Sequence, residues 1–169
     1  IDEISDRGIY PDLMRKFYSE GHNVFVVTPI ERRYHQAGSI QVHNNVTILK
    51  IKTLNIQKTS IAEKWLSALV INHQFLYSIN KYFSDIHFDL IIYSTPPITF
   101  NRLITTIKKK NGALAYLLLK DIFPQNALDL GMINRGGLLH HYFVRKERIL
   151  YKISDFIGCM SQANVNFLI

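Results

Sequence analysis

Phe88-Asp89-Leu90-Ile91-Ile92-Tyr93-Ser94-Thr95-Pro96-Pro97 is the stretch on which the fold turns. Residues 88–93 form a short apolar run, and a Ser-Thr-Pro-Pro turn ends it abruptly. A run of this length without polar alternation reads as a strand buried in a parallel sheet. Past the turn, Phe100, Leu103, Ile104 and Ile107 recur at i, i+3, i+4 and i+7, one face of an amphipathic helix. Lys108, Lys109 and Lys110 close that helix before Asn111-Gly112, where cations complement the helix dipole.

The same alternation extends both ways. Downstream, residues 113–119 are a third apolar run, ending at Lys120-Asp121. A helix over Leu138–Ile153 and a short strand over residues 156–161 follow, and the stretch from Asn164 reads as the start of another helix. Upstream, Leu13, Met14, Phe17 and Tyr18 mark a helix over residues 11–20 that Gly21 stops. Residues 23–29 are a buried parallel strand that Pro29 is expected to end, and Val46–Thr53 alternates as a further strand. Ser60-Ile61-Ala62-Glu63 fits a capping box. The helix behind it is expected to carry Trp65, Leu69, Leu76, Ile79 and Phe83 along one face.

These elements predict an α/β fold, a Rossmann-like, doubly wound, mostly parallel sheet with helices on both faces, in one domain over residues 1–169. Residues 1–9 do not make a good strand. They read as the loop after a first strand, with Gly8 at the helix entry, so the pattern is expected to lack that first strand. In open sheets of this kind ligands bind beyond the carboxyl ends of the strands. Thr28, Ser94, Thr95, Lys120, Asp121 and Ser161 thereby become a candidate rim.

Composition narrows the function classes. Of 169 residues, 47% are hydrophobic and 20% charged, which excludes a disordered chain. No apolar run reaches the ~18–20 residues of a membrane span. A single cysteine, Cys159, excludes an internal disulfide and a multi-cysteine zinc site, and it fits a reducing, cytosolic setting. It lies in an apolar strand and reads as an inert core thiol. The seven histidines show no ligand spacing, and no metal is expected. Twenty basic against thirteen acidic residues give a net charge of +7, pointing to an acidic partner: a phosphate, an anionic membrane or a nucleic acid. The basic residues are scattered and no nucleic-acid-binding motif is visible, so nucleic acid drops out.

One helix concentrates the charge. His141, Arg145, Arg148 and Lys152 fall at 0, +4, +7 and +11, aligned at 3.6 residues per turn. Leu139, Phe143, Leu150 and Ile153 lie on the other side. The stripe is either the solvated face of a core helix or a contact for a phosphate or an anionic membrane surface.

Several stretches, in order, resemble the N-terminal half of GT-B-fold glycosyltransferases of family 4, which build capsule, O-antigen and exopolysaccharide. Arg7-Gly8-Ile9-Tyr10 with Gly21-His22-Asn23-Val24-Phe25-Val26-Val27-Thr28-Pro29 resembles the family's glycine loop, first helix and second strand. Phe88 to Pro97 resembles its strand and Pro-Pro turn. Leu117-Leu118-Leu119-Lys120-Asp121-Ile122-Phe123-Pro124-Gln125-Asn126-Ala127 resembles its acidic stretch, and Ser154-Asp155-Phe156-Ile157-Gly158-Cys159-Met160-Ser161 the strand before its interdomain helix. The region from about 30 to 58 carries little of it.

The resemblance implies a retaining transfer of sugar from a nucleotide-sugar donor to a polyprenyl-diphosphate-linked or glycan acceptor, with no cofactor beyond the donor. It implies a protein at the inner membrane face, peripheral there. In the family the N-terminal domain holds the acceptor. The C-terminal domain holds the donor, through two glutamates eight positions apart. Glu3, Glu20, Glu31, Glu63 and Glu147 include no such pair, so the donor domain is expected to be absent and the chain truncated. Gly8 matches the glycine whose loop approaches the donor diphosphate, or is a plain turn glycine. Asp121 matches the acidic position near the reacting hydroxyl, as orienter or general base, or caps the next helix. Lys120 stands where many relatives have histidine, and could pair with phosphate. Ser94, Thr95 and Ser161 are candidate acceptor-binding residues, and Arg145, Arg148 and Lys152 candidate membrane or phosphate contacts. A non-catalytic nucleotide- or sugar-binding module of the same fold is the alternative.

Overall fold

The computed structural model describes residues 5–56, 58–95 and 97–168, and the side chains of residues 61, 62, 64 and 65 lie outside the description. The chain divides into two compact units, Ile1–Ser84 and Asp85–Ile169.

The first unit is built on a mixed sheet of order β1-β3-β2: β1 (Val24–Glu31), β2 (Ser39–His43) and β3 (Val46–Thr53). β1 and β3 run parallel, Val24 opposite Val46 and Glu31 opposite Thr53. β2 runs antiparallel to β3. Val26, Val46 and Ile48 form a buried core, with Met14 and Val24 packed against it. Met14 comes from α1 (Ile9–Ser19), the first expected helix.

β1 corrects one expectation. It does not stop at Pro29 but runs on to Glu31. Pro29 is exposed, and β1 pairs only with β3 among the described residues. A proline without N–H is tolerated where the strand edge is free. Thr28 therefore lies inside the strand, not at its rim.

The helix α2 (Ile61–Tyr82) starts where the capping box places it, with Glu63 N donating to Ser60 Oγ at 3.2 Å. Its inward face is rotated from the expected one. Ser67, Ile71, Phe75, Ile79 and the C-cap Phe83 are buried, and Leu69 is 60% exposed. Steps of four residues turn 400°, so this stripe drifts around the helix and meets the expected face only at Ile79 and Phe83. Trp65 lies outside the described side chains.

The second unit is a parallel sheet of order β4-β5-β6: β4 (Leu90–Ser94), β5 (Leu114–Leu119) and β6 (Phe156–Cys159). α3 (Asn101–Asn111) packs on β5 and on α5 (Leu138–Ile153), and a short α4 (Gln125–Asp129) and α6 (Gln162–Leu168) complete it. The expected face of α3 is the buried one: Leu103, Ile104 and Ile107. Gly112 ends the helix at φ 66°, a left-handed value that favours glycine. Lys108 leaves its own helix terminus. Its Nζ donates to Ile153 O at 2.9 Å and to Asp155 Oδ2 at 2.6 Å, and Asp155 Oδ2 also accepts from Ala115 N. One carboxylate so ties the starts of β5 and β6 to α3.

Burial in this sheet alternates. Tyr93, Ala115, Leu117 and Leu119 are buried, while Leu90, Ile92, Leu114 and Phe156 are exposed. The fold is thus α/β, with one mixed and one parallel three-stranded sheet.

Candidate functional site

The parallel sheet sets up the site. β4, β5 and β6 point the same way, so the residues after Ser94, Leu119 and Cys159 come to one edge. Ser94, Thr95, Lys120, Asp121 and Ser161 all belong to that carboxyl edge. Gly8 and Thr28 belong to the first unit.

The edge residues differ in what they offer. Thr95 is 1% exposed, and its Oγ1 donates to Asp121 O at 3.2 Å. Its N–H donates to Leu118 O. The expectation that Thr95 meets an acceptor is therefore revised: its hydroxyl is turned inward and fixes the backbone of Asp121. Asp121 itself is exposed, and its carboxylate makes no hydrogen bond or ion pair with the described residues. The helix that follows is entered through Pro124, whose N-cap position carries no side-chain cap. Asp121 does not serve as that cap. Lys120 and Ser94 are half-buried. Ser161 is exposed, and its Oγ accepts from Asn164 N at 3.3 Å, capping the first turn of α6. Its own O–H remains available for donation.

Gly8 is the N-cap of α1, with φ 156° and ψ 165°. That combination is open essentially to glycine alone. Its carbonyl accepts from Asp12 N at 2.9 Å, so the loop enters the helix directly.

The basic stripe is present on α5. His141, Arg145, Arg148 and Lys152 are exposed, while Phe143 and Leu150 are buried on the opposite side. Leu139 is the exception, at 48% exposed in the first turn. An open depression of ≈ 730 Å³ lies along the stripe, lined by His140, His141, Val144, Arg145, Arg148, Ile149, Tyr151 and Lys152. Phe123, just after Asp121, meets Phe143 edge-on at 5.0 Å, joining the acidic segment to α5.

Two groups beside the stripe titrate unusually. Burial pushes the half-buried Glu147 carboxyl up, against the hydrogen bond from Tyr151 and the charge of Arg148. Burial, then the Glu147 contact, pushes the Tyr151 hydroxyl well above its ordinary range. Tyr151 donates to Glu147 Oε1 at 2.8 Å. Sequence reasoning missed this pair, although its i, i+4 spacing on one helix was visible. Among the described residues no cluster of three His, Cys, Asp or Glu could hold a metal, and no helix is long and apolar enough to cross a membrane.

No protein-family model matches the chain, and no curated protein matches it significantly.

Proposed function

We propose that this chain is the acceptor-side half of a glycosyltransferase that moves a sugar from a nucleotide-sugar donor to a lipid-linked or glycan acceptor. The ordered resemblance to family 4 glycosyltransferases motivates the reading. The observation that carries it is Asp121: an exposed carboxylate, uncommitted among the described residues, at the carboxyl edge of a parallel sheet, with its backbone fixed by buried Thr95. Ligands of open α/β sheets bind at that edge. There the carboxylate can orient an acceptor hydroxyl and take its proton as the new glycosidic bond forms and the sugar's bond to the donor phosphate breaks, the nucleotide leaving with its phosphate. Lys120 supplies charge for a phosphate, and Ser94 and Ser161 supply hydrogen bonds to sugar hydroxyls. Gly8 opens a helix N-terminus suited to a diphosphate. Arg145, Arg148 and Lys152 meet the acceptor's diphosphate or the anionic surface around it.

The test is nucleotide-sugar-dependent transfer of radiolabel into the lipid fraction by the complete gene product. Asp121→Ala is expected to cut turnover by about 100-fold or more while donor binding holds. Full turnover in Asp121→Ala overturns the catalytic role. Sugar or nucleotide binding without any transfer favours the non-catalytic binding module.

A further inference from the structure

We infer that the connector between α4 and α5 is a lipid-inserting tip, and that the second unit docks on an anionic bilayer surface through this tip and the basic stripe of α5. The inference names the surface that would bring a lipid-linked acceptor to the site, and for that purpose it rests on the reading above.

The connector exposes large apolar side chains, Leu130 at 73% and Met132 at 66%, and Leu138, the first residue of α5, is 92% exposed. It is not a loose strand of chain. Ile133 is buried, Met132 N donates to Ala127 O at 2.9 Å, and Gly137 N donates to Asn134 O at 3.1 Å. Gly131 and Gly136 take φ 67° and 77°, left-handed values that glycine adopts without strain, and turn the backbone on either side of the buried Ile133. A structured turn therefore presents what folding normally hides.

Charge selects the partner. Residues 130–146 contain no Asp or Glu, and Arg135, Arg145 and Lys146 are among them. The exposed stripe continues through Arg148 and Lys152. Glu147 is half-buried and engaged with Tyr151. Apolar side chains beside cations, without interleaved carboxylates, match an interface where acyl chains lie beneath anionic headgroups.

The test is co-sedimentation of the chain with vesicles of phosphatidylcholine containing about one-third phosphatidylglycerol. Met132→Glu with Leu138→Glu is expected to weaken binding by about tenfold or more. Arg145→Glu with Arg148→Glu is expected to remove the preference for anionic over neutral vesicles. Circular dichroism checks that each variant folds. A second readout is independent of lost binding: with Trp65 replaced by Phe, tryptophan fluorescence of Leu138→Trp is expected to be quenched by brominated lipid, and that of Tyr34→Trp is not. Binding of the double glutamate variant within about twofold of the parent, or no quenching at position 138, overturns the inference. So does a lipid-free dimer that the glutamates dissociate, which would make the tip a contact between copies. Sugar transfer to a detergent-dispersed acceptor reports on the enzymatic reading alone, so the two can fail separately.

Discussion

Thr95 and Asp121 are neighbours at the same edge with opposite behaviour under mutation. Thr95 is buried and its hydroxyl holds a backbone carbonyl. Thr95→Val keeps the volume and strands that carbonyl, so it should cost about 1–3 kcal/mol in urea unfolding. Asp121 is exposed and its carboxylate is unengaged among the described residues. Asp121→Ala should change stability by less than about 0.5 kcal/mol, and on the proposed reading should cut transfer by about 100-fold or more. Asp155 behaves differently again. Its hydrogen bond with Lys108, then that from Ala115 N, holds its carboxyl below the ordinary range. A carboxyl with a depressed folded-state pKa stabilises the fold above its unfolded value and loses that contribution as pH falls. Asp155→Asn is therefore expected to lower the melting temperature at pH 7, with the gap from the parent closing as pH drops below about 4. An equal gap at both pH values would show that the charge of Asp155 contributes nothing.

Among the elements, legibility tracked whether a local signal could decide a face. α3 read correctly because its apolar residues fall in one narrow arc, Leu103, Ile104 and Ile107, with polar residues elsewhere. α5 buries Phe143 and Leu150 as expected, but not Leu139 in its first turn. α2 has apolar residues all round, and periodicity cannot then select the side that packs. The structure buries Phe75 and leaves Leu69 outside. Phe75→Ala should cost about 3–5 kcal/mol and Leu69→Ser almost nothing, measured by denaturant unfolding. Reversed costs would restore the face expected from spacing. β2 was missed because only Val42 of Ser39–His43 is strongly hydrophobic beside Ile40, and neither is buried. One signal was there: Asn44-Asn45 joins β2 to β3 in a two-residue turn, with Asn44 at φ 53°. Asparagine tolerates that left-handed value better than most residues. The Lys108–Asp155 tie is long-range, 47 residues apart, and no local pattern announces it.

For the whole chain, the net charge of +7 first suggested only an acidic partner. It divides nearly evenly: residues 1–84 carry ten basic and seven acidic residues, and residues 85–169 carry ten and six. Net charge alone therefore does not select a unit. What differs is arrangement. In the first unit Arg32 pairs with Glu63 and Arg33 with Glu31. In the second, Arg145, Arg148 and Lys152 share one exposed helix stripe beside a segment free of carboxylates. Binding to an anionic surface should then follow the second unit. The division between units falls at exposed Ser84 and Asp85, so limited digestion ahead of Asp85 should release two fragments, separable by mass. Residues 85–169 include β4, β5 and β6 with the Lys108–Asp155 tie, so this fragment should keep its helical circular dichroism signal. If it does, it should bind anionic vesicles nearly as well as the intact chain, and binding should weaken steeply with salt, since exposed charges are screened beyond about 8 Å at physiological ionic strength. The first fragment, with a similar net charge but paired arginines, should bind far less. Equal binding by both folded fragments would mean that overall charge, and not the α5 stripe with its apolar tip, determines the attraction.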